Sequence, residues 1–344
     1  MHTILNTLYV MTPGAYAHLE NNTVRIDVEK EKRLQVPLHH LEGLVCFGNV
    51  MVSPFLIHRL ADEGKSLVLL EDSGRFKARL EGPVSGNILL RQAQHRAAGD
   101  RAFVVKVSRA VVAGKLKNSR SVVLRGAREA STLKEAETLT RKAQNLAASL
   151  RATKEAPDLD TLRGIEGEAA RGYFEALNLV IKPNAREYFV LNGRTRRPPR
   201  DRFNALLSFL YSMLMNSCRS ALEVAGLDPQ LGFLHAVRPG RAAFALDLQE
   251  EFRSVIADRL ALTLINRGQV TVGDFDEREG GAVMLNEQGR RKVVTAWQER
   301  RQDEVTHPIL ETSMPIVLLP LMQARFMART VRGEMEGYVP YLAK

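Results

Sequence analysis

Hydrophobic and polar positions alternate in short runs over the first eighty residues, and Pro-Gly, Asn-Asn and charged turns separate these runs. Alternation with a period of two indicates strands that bury one face. One segment instead has apolar residues at helical spacing and ends at Gly64. We therefore predict a small β domain with one short helix. The strands are predicted at 3–10, 23–28, 41–47 and 66–70, and the helix at 54–63.

From about Asn87 the pattern changes to the period of helices, in long stretches rich in Ala, Leu, Arg, Lys and Glu. The join at 80–86 contains two glycines and a proline, which suits a connector. A length of 344 residues also favours two domains. We predict an α+β protein, with a β domain at 1–82 and a larger all-helical domain at 83–344. The main helices are predicted at 88–98, 101–126, 131–153, 158–178, 201–225, 247–267, 286–302 and 311–332.

Helical phase separates two carboxylates in the segment 163–174. Successive side chains on a helix rotate by about 100°, so Glu166 shares a face with small and apolar residues, whereas Glu168 falls on a charged face. A carboxylate that points inward is costly unless it has a cation, and a divalent ion would supply one. The alternative is that Glu166 lies near the start of the helix and interacts with its dipole.

A histidine and an acidic pair follow in the segment 231–253. His235 lies between an apolar approach and a Pro-Gly turn, which places its imidazole at the end of an element; a hydrogen-bonded structural role is the alternative. Asp247 and Glu250 are three residues apart, so they share one helical face, where a cation would relieve their repulsion. The alternative is that the two carboxylates belong to a solvated acidic first turn of the helix. Glu251 is a competing ligand on spacing alone.

Carboxylates with a single imidazole form a donor set suited to Mg²⁺ or Mn²⁺ and poorly suited to structural zinc. Such an ion supports phosphodiester chemistry, although a histidine can also act as a proton carrier. We therefore predict a catalytic, metal-binding site. Its residues are Glu166, His235, Asp247 and Glu250.

The chain carries a formal net charge of +10 with a pI of about 9.7, which favours a polyanionic partner. Arginines crowd the loop 192–202, and the functional interpretation is a groove that follows phosphates; a solvated surface is the alternative. Aromatic residues make up only 6% of the chain, which argues against base stacking of the RNA-recognition kind. The predicted nucleic-acid contacts are Arg163, Arg194, Arg196, Arg197, Arg200, Arg202, Arg238, Arg241, Arg290, Arg291 and Lys292.

The cysteines and the apolar segments limit the location of the protein. Cys46 and Cys218 are the only cysteines, and their spacing forms neither a disulfide framework nor a zinc finger. The apolar segment 315–322 is short and interrupted by Pro315 and Pro320. We predict a cytoplasmic protein with no signal peptide and no membrane span.

Read in order, several segments resemble the CRISPR-associated integrase-nuclease that installs new spacers, the Cas-one family. The resemblance covers essentially the whole chain. It is carried by LLRQAQ at 89–94, RGIEGEAAR at 163–171, RPPRDRFNALL at 197–207, GFLH at 232–235 and LDLQEEFR at 246–253.

The resemblance implies a fold with an N-terminal β domain, which is the dimerisation region, and a helical catalytic domain. It aligns Glu166 and His235 with metal ligands, and Asp247 and Glu250 with the acidic pair; many relatives have Asp at the last position. It further implies a homodimer that binds the second CRISPR-associated adaptation protein and a short DNA duplex. The implied reaction is attack by a DNA 3′-hydroxyl at the leader-repeat junction of a CRISPR array, with hydrolysis as the nuclease counterpart.

Two other functions are compatible with the same residues. The first is a non-catalytic DNA-binding scaffold whose acidic cluster is structural. The second is a general metal-dependent nuclease of RNA or branched DNA. Dependence on a divalent ion distinguishes the scaffold from the enzyme, and the nature of the nucleic-acid substrate distinguishes the two enzymes.

Overall fold

The computed structural model describes residues 6–72, 74–80 and 88–343. The chain forms two compact units, Met1–Ser85 and Gly86–Lys344. The predicted boundary between residues 82 and 83 lies outside the described residues. Within the described part of the chain, no helix is long and apolar enough to cross a membrane.

In its described residues, 6–72 and 74–80, the first unit contains two four-stranded sheets. In one sheet the order is β1-β5-β7-β8, with β1, β5 and β7 parallel and β8 antiparallel to β7. In the other the order is β4-β3-β2-β6. The strands are β1 (Asn6–Val10), β2 (Tyr16–Glu20), β3 (Thr23–Val28), β4 (Glu31–Pro37), β5 (Leu41–Phe47), β6 (Met51–Val52), β7 (Ser66–Leu70) and β8 (Phe76–Arg79).

Three predicted strands are confirmed with the predicted bounds: β3, β5 and β7. The first was predicted from residue 3, and residues 3–5 lie outside the described part. The short helix is also confirmed as α1 (Pro54–Asp62), whose start is fixed by Ser53, because the Ser53 hydroxyl accepts from the Leu56 N–H at 3.2 Å. The alternation of hydrophobic and polar positions did not predict β4, because most of that strand is exposed and polar.

The second unit is largely helical, which confirms the predicted α+β class. Two short hairpins interrupt it, β9 (Phe275–Arg278) with β10 (Ala282–Leu285) and β11 (Glu304–Thr306) with β12 (Ser313–Pro315), so the domain is not all-helical as predicted. The helices are α2 (Ile88–Gly99), α3 (Arg101–Arg128), α4 (Leu133–Glu155), α5 (Leu159–Val180), α6 (Pro183–Arg186), α7 (Arg202–Val224), α8 (Ala243–Phe252), α9 (Arg259–Asn266), α10 (Glu287–Gln302) and α11 (Leu319–Val331).

Two predicted helices differ from the structure. The predicted helix at 247–267 begins earlier, as α8, and passes through a π-helical turn, Arg253–Asp258, before α9. The predicted helix at 311–332 is wrong in its first part, because the chain there forms β12 and a short 3₁₀ turn. Pro320 lies in the first turn of α11, where a proline needs no hydrogen-bond partner for its nitrogen.

The long helix α3 packs against α4, α5 and α8. A glycine permits one of these close approaches, because a Cβ on Gly126 would lie 2.6 Å from the Val180 side chain of α5. The facing helices bury apolar residues such as Val112, Leu116 and Leu177. This packing holds one face of α3 against the faces of α5 and α8 that carry the predicted carboxylates.

Candidate active site

Glu166 lies on the inner face of α5, well beyond the helix start at Leu159. Its side chain is 26% exposed, whereas Glu168 is exposed to solvent. The helical phase thus correctly predicted that Glu166 faces inward and that Glu168 faces solvent. The helix dipole does not explain its position, because the dipole acts within the first turn.

Asp247 is buried in α8, and the loop before this helix folds around its carboxylate. Its Oδ2 accepts from the main-chain N–H groups of Phe233 at 2.6 Å and Leu234 at 3.0 Å, and its Oδ1 accepts from that of His235 at 2.9 Å. Gly232 leaves room for this arrangement, because a Cβ there would lie 2.6 Å from Asp247 Oδ2. Both carboxylate oxygens of Asp247 are thus engaged within the chain.

His235 is oriented by the same carboxylate. Its Nδ1 lies 2.7 Å from Asp247 Oδ1, so Nδ1 carries the proton and Nε2 presents a lone pair in the neutral ring. Nε2 is directed toward Glu250, at 3.7 Å from Glu250 Oε1. The apolar residues before His235 anchor the loop, since the Phe233 ring packs edge-on against Phe103 of α3 and Phe244 of α8.

Glu250 is the most enclosed of the predicted ligands that face the site, with its side chain 3% exposed. Arg253 Nη1 lies 2.6 Å from Glu250 Oε1, and Lys115 Nζ lies 2.7 Å from Glu250 Oε2. Burial alone would raise the pKa of Glu250, but Arg253 and Lys115 outweigh burial and lower this pKa to about 2. Glu250 is therefore ionised at neutral pH.

The structure excludes the solvated acidic turn, because Asp247, Glu250 and Glu251 are all buried in the body of α8. It also separates Glu251 from the site. Glu251 accepts hydrogen bonds from the Tyr338 hydroxyl, the Tyr341 N–H and Gln323 Nε2. Gln323 lies in α11, and the two tyrosines follow this helix. Burial raises the pKa of Glu251 to about 8.

Sequence reasoning missed Lys115, which lies on α3 and pairs with both Glu166 and Glu250. Its side chain is 12% exposed. It also missed Arg253, which begins the π-helical turn and stacks over the Tyr211 ring, 5.1 Å from the ring centre. No local pattern marks Lys115, because it is 51 residues from Glu166 in sequence.

A small cavity of about 40 Å³ lies beside these charges, large enough for one or two water molecules. Its walls include Lys115, Glu166, Glu250 and Arg196. A buried aspartate, Asp258, also lines this cavity and accepts from the Tyr173 hydroxyl at 2.8 Å and the Tyr211 hydroxyl at 2.7 Å. Burial raises the pKa of Asp258 to about 6.

Arginines form a rim near Asp247 and His235. Arg163 donates to the Leu234 carbonyl at 2.7 Å from Nη2 and 3.1 Å from Nε. Burial lowers the pKa of Arg241, and repulsion from neighbouring arginines lowers it further, although Asp247 acts in the opposite direction. The arginines that act on Arg241 are Arg163, Arg196 and Arg238, and we define the arginine rim as these three residues together with Arg241.

The other predicted nucleic-acid contacts are mostly occupied inside the chain. Arg194 bonds to Asn204 and Ser208, Arg200 to the Gly280 carbonyl and Arg202 to Glu277. The structure therefore gives no support to a phosphate-binding role for Arg194, Arg200 and Arg202. Arg197 is exposed. Around α10, Arg290 is buried against the Leu285 carbonyl, Arg291 pairs with Glu287 and Lys292 pairs with Asp274.

The donor set suits a hard divalent cation, although the chain's own cation lies within it. In residues 6–72, 74–80 and 88–343, no three His, Cys, Asp or Glu side chains converge as a ready-made metal centre. The Lys115 ammonium lies between Glu166 and Glu250 instead. Glu166 and Glu250 nevertheless line one small cavity, and His235 Nε2 lies 3.7 Å from Glu250 Oε1, so the donor types present are those that Mg²⁺ or Mn²⁺ takes.

The fold and the site together define a class. A small β unit precedes a largely helical unit, in which an acidic centre with one imidazole lies beside a rim of arginines. This arrangement is typical of proteins that process nucleic-acid phosphodiesters. A sequence profile described as CRISPR associated protein Cas1 matches residues 8–299, and the chain belongs to this family.

The chain is also similar to individual proteins. It is 51% identical over 342 residues to "CRISPR-associated endonuclease Cas1 1" of Moorella thermoacetica, with 99% of each chain covered. It has the fold of a structure titled "Casposase bound to integration product", with a TM-score of 0.83, 20% identity and coverage of 99% of this chain and 95% of the other. It also matches 37% of a chain in the "Cas6-RT-Cas1--Cas2 complex", with a TM-score of 0.84, 21% identity and coverage of 100% of this chain.

Proposed function

We propose that this protein is a divalent-metal-dependent DNA endonuclease and integrase of CRISPR adaptation. It inserts short DNA duplexes into a repeat array and is able to cleave DNA. The observation that carries the proposal is that Glu166 and Glu250 line one enclosed cavity, with His235 Nε2 at 3.7 Å from Glu250 Oε1, in a member of the Cas1 family. The family relative named as an endonuclease and the casposase with its integration product support it.

In this proposal Glu166, Glu250 and His235 would hold Mg²⁺ or Mn²⁺. Asp247 acts as a positioning residue, because its oxygens already accept from three main-chain N–H groups and from the His235 ring. When bound, the ion would polarise a phosphoryl oxygen, lower the pKa of the attacking hydroxyl or water and neutralise charge on the leaving oxygen. The chain supplies the geometry for this chemistry.

The reaction needs no external energy source. The 3′-hydroxyl oxygen of the incoming strand forms a bond to phosphorus, and the bond from that phosphorus to a deoxyribose 3′-oxygen of the target breaks. One phosphodiester replaces another, and the proton of the attacking hydroxyl ends on the released 3′-oxygen. With water as the nucleophile, the same exchange is hydrolysis and leaves a cleaved strand.

The chain's basic residues have a defined part in this proposal. Arg196 and Arg238 are exposed, and with Arg163 and Arg241 they lie near His235 and Asp247. Arginine guanidinium groups bind phosphate oxygens with two parallel hydrogen bonds. The rim would therefore hold the DNA backbone beside Glu166 and Glu250.

We also infer the assembly in which the protein works. The similar chain in the Cas6-RT-Cas1--Cas2 complex is found together with Cas2, which supports a partner of the Cas2 type here. We propose in addition that the protein is a homodimer and that residues 1–82 form the dimerisation region. Mass measurement of the purified protein, with and without residues 1–82, tests the dimer.

The proposed activity is tested with a 3′-hydroxyl DNA duplex, a supercoiled plasmid that carries the repeat array and the Cas2-type partner. We expect strand transfer into the array in Mg²⁺ or Mn²⁺ and none in EDTA. A DNA-binding scaffold would bind DNA equally in EDTA and transfer no strand. A general nuclease would degrade structured RNA or branched DNA without joining the duplex to the plasmid.

A further inference from the structure

Lys115 occupies the place where a positive charge is needed in this site. Its ammonium bridges Glu166 of α5 and Glu250 of α8, at 2.7 Å from Glu250 Oε2. Both carboxylates belong to the set that we propose for the metal. A lysine ammonium and a divalent ion cannot both lie between the same two carboxylates, because like charges at contact distance repel strongly in an enclosed site.

The second cation at Glu250 is held differently. Arg253 pairs with Glu250 Oε1 at 2.6 Å, donates to Gln249 Oε1 at 3.1 Å and stacks over the Tyr211 ring. The Lys115 ammonium, in the described part of the chain, pairs with Glu166 and Glu250 alone. Lys115 is therefore less constrained than Arg253, because its flexible side chain is held by the two carboxylates alone.

The surroundings of Lys115 allow it to leave. The small cavity that it lines is also lined by Arg196, which is exposed, and by Glu166, whose side chain is 26% exposed. A buried ion pair loses much of its stability when one partner is removed. The two carboxylates consequently need either the ammonium or another cation to remain ionised side by side.

We propose that Lys115 is a built-in competitor of the metal: it holds Glu166 and Glu250 in place in the metal-free protein and is displaced when a divalent ion binds. The inference rests on the proposed metal site. It has two consequences for a variant without the charge. The metal-free protein is less stable, and the divalent ion binds more tightly because it no longer has to displace an ammonium.

The test is calorimetric titration of Mn²⁺ into metal-free wild-type protein and the variant Lys115→Met, which keeps the length of the side chain without its charge. We expect the variant to bind Mn²⁺ about tenfold more tightly, which corresponds to about 1.4 kcal/mol. Its melting temperature in EDTA falls, and its rise on addition of Mn²⁺ exceeds that of wild type. Lys142→Met is the matched control, because it removes another lysine that pairs with a glutamate of α5, Glu175, away from the site.

Each outcome decides the inference. Equal or weaker Mn²⁺ binding by Lys115→Met than by wild type contradicts it and leaves the proposed function intact. If the variant is unfolded without metal, recovery of the fold in Mn²⁺ supports the inference, and failure to recover, repeated with Lys115→Gln, contradicts it. Absence of Mn²⁺ binding in wild type and in Lys115→Met contradicts both the inference and the proposed metal site.

Discussion

Asp247 contacts both the main chain and the ring of His235: Asp247 Oδ1 lies 2.9 Å from His235 N and 2.7 Å from His235 Nδ1. The carboxylate thus fixes the path of the loop and the orientation of the imidazole together. Glu250, one helical turn later, has its Oε1 3.7 Å from His235 Nε2. The spacing of three residues places the two acids on one face, and their partners give them different tasks.

We predict that Asp247→Asn destabilises the fold as well as the site. Each oxygen of Asp247 faces two N–H donors, counting the His235 ring. An asparagine NH₂ would face one pair of these donors in either orientation, which leaves buried groups without acceptors. We expect a loss of about 3 kcal/mol in the free energy of unfolding, measured with urea in EDTA. Asp276→Asn, at an exposed position, is the control, and a loss as small as in that control would contradict the role of Asp247.

We predict that Glu166→Gln and Glu250→Gln remove Mn²⁺-dependent cleavage and strand transfer, because a neutral amide binds a divalent ion far more weakly than a carboxylate. Glu168→Gln makes the same change on the exposed face of α5 and keeps full activity. Circular dichroism checks that each variant is folded. Full activity in a folded Glu166→Gln variant would exclude Glu166 from the site.

We predict a salt signature for the arginine rim. Arg196→Ala and Arg238→Ala each remove an exposed positive charge beside the acidic centre. The slope of log affinity for DNA against log salt concentration should become shallower by about 1 for each variant that loses a phosphate contact. Arg291→Ala, whose guanidinium pairs with Glu287 on α10, should leave the slope unchanged. Equal slopes in all variants would place the DNA elsewhere.

We predict a pH effect from Glu251, whose pKa burial raises to about 8. A carboxyl group whose pKa is raised on folding stabilises the fold fully below its ordinary pKa, near 4.5, and this contribution is lost as pH rises toward 8. Glu251→Gln cannot ionise, so its melting temperature in EDTA should fall less than that of wild type between these pH values. Parallel curves for the two proteins would show that Glu251 does not titrate in this window.

Much of the fold follows from local pattern. The strands β3, β5 and β7 have the predicted bounds, since alternation is clear where one face is buried. The helical period predicts a helix at 311–332, but Pro315 and Pro320 interrupt this segment, and α11 begins only at Leu319. The π-helical turn after α8 carries no sequence signal comparable to a proline.

Only part of the candidate site could be predicted from the sequence. Helical phase predicted that Glu166 faces inward, because the direction of a side chain on α5 depends on local sequence spacing. The pairing of Lys115 with Glu250 joins α3 to α8, and contacts so distant in sequence have no periodicity. The arginine-rich loop shows a related limit, since charge density does not reveal that Arg194 bonds to Asn204 within the chain, while Arg196 lines the cavity.

The most direct test of the central claim is anomalous X-ray scattering from crystals soaked in Mn²⁺. We predict a manganese peak bound by the carboxylates of Glu166 and Glu250 and by His235 Nε2, with Asp247 still bonded to His235 Nδ1 and the Lys115 ammonium moved away. A peak bound by Asp247 in place of Glu250, or no peak at these residues under conditions that support strand transfer, would contradict the account.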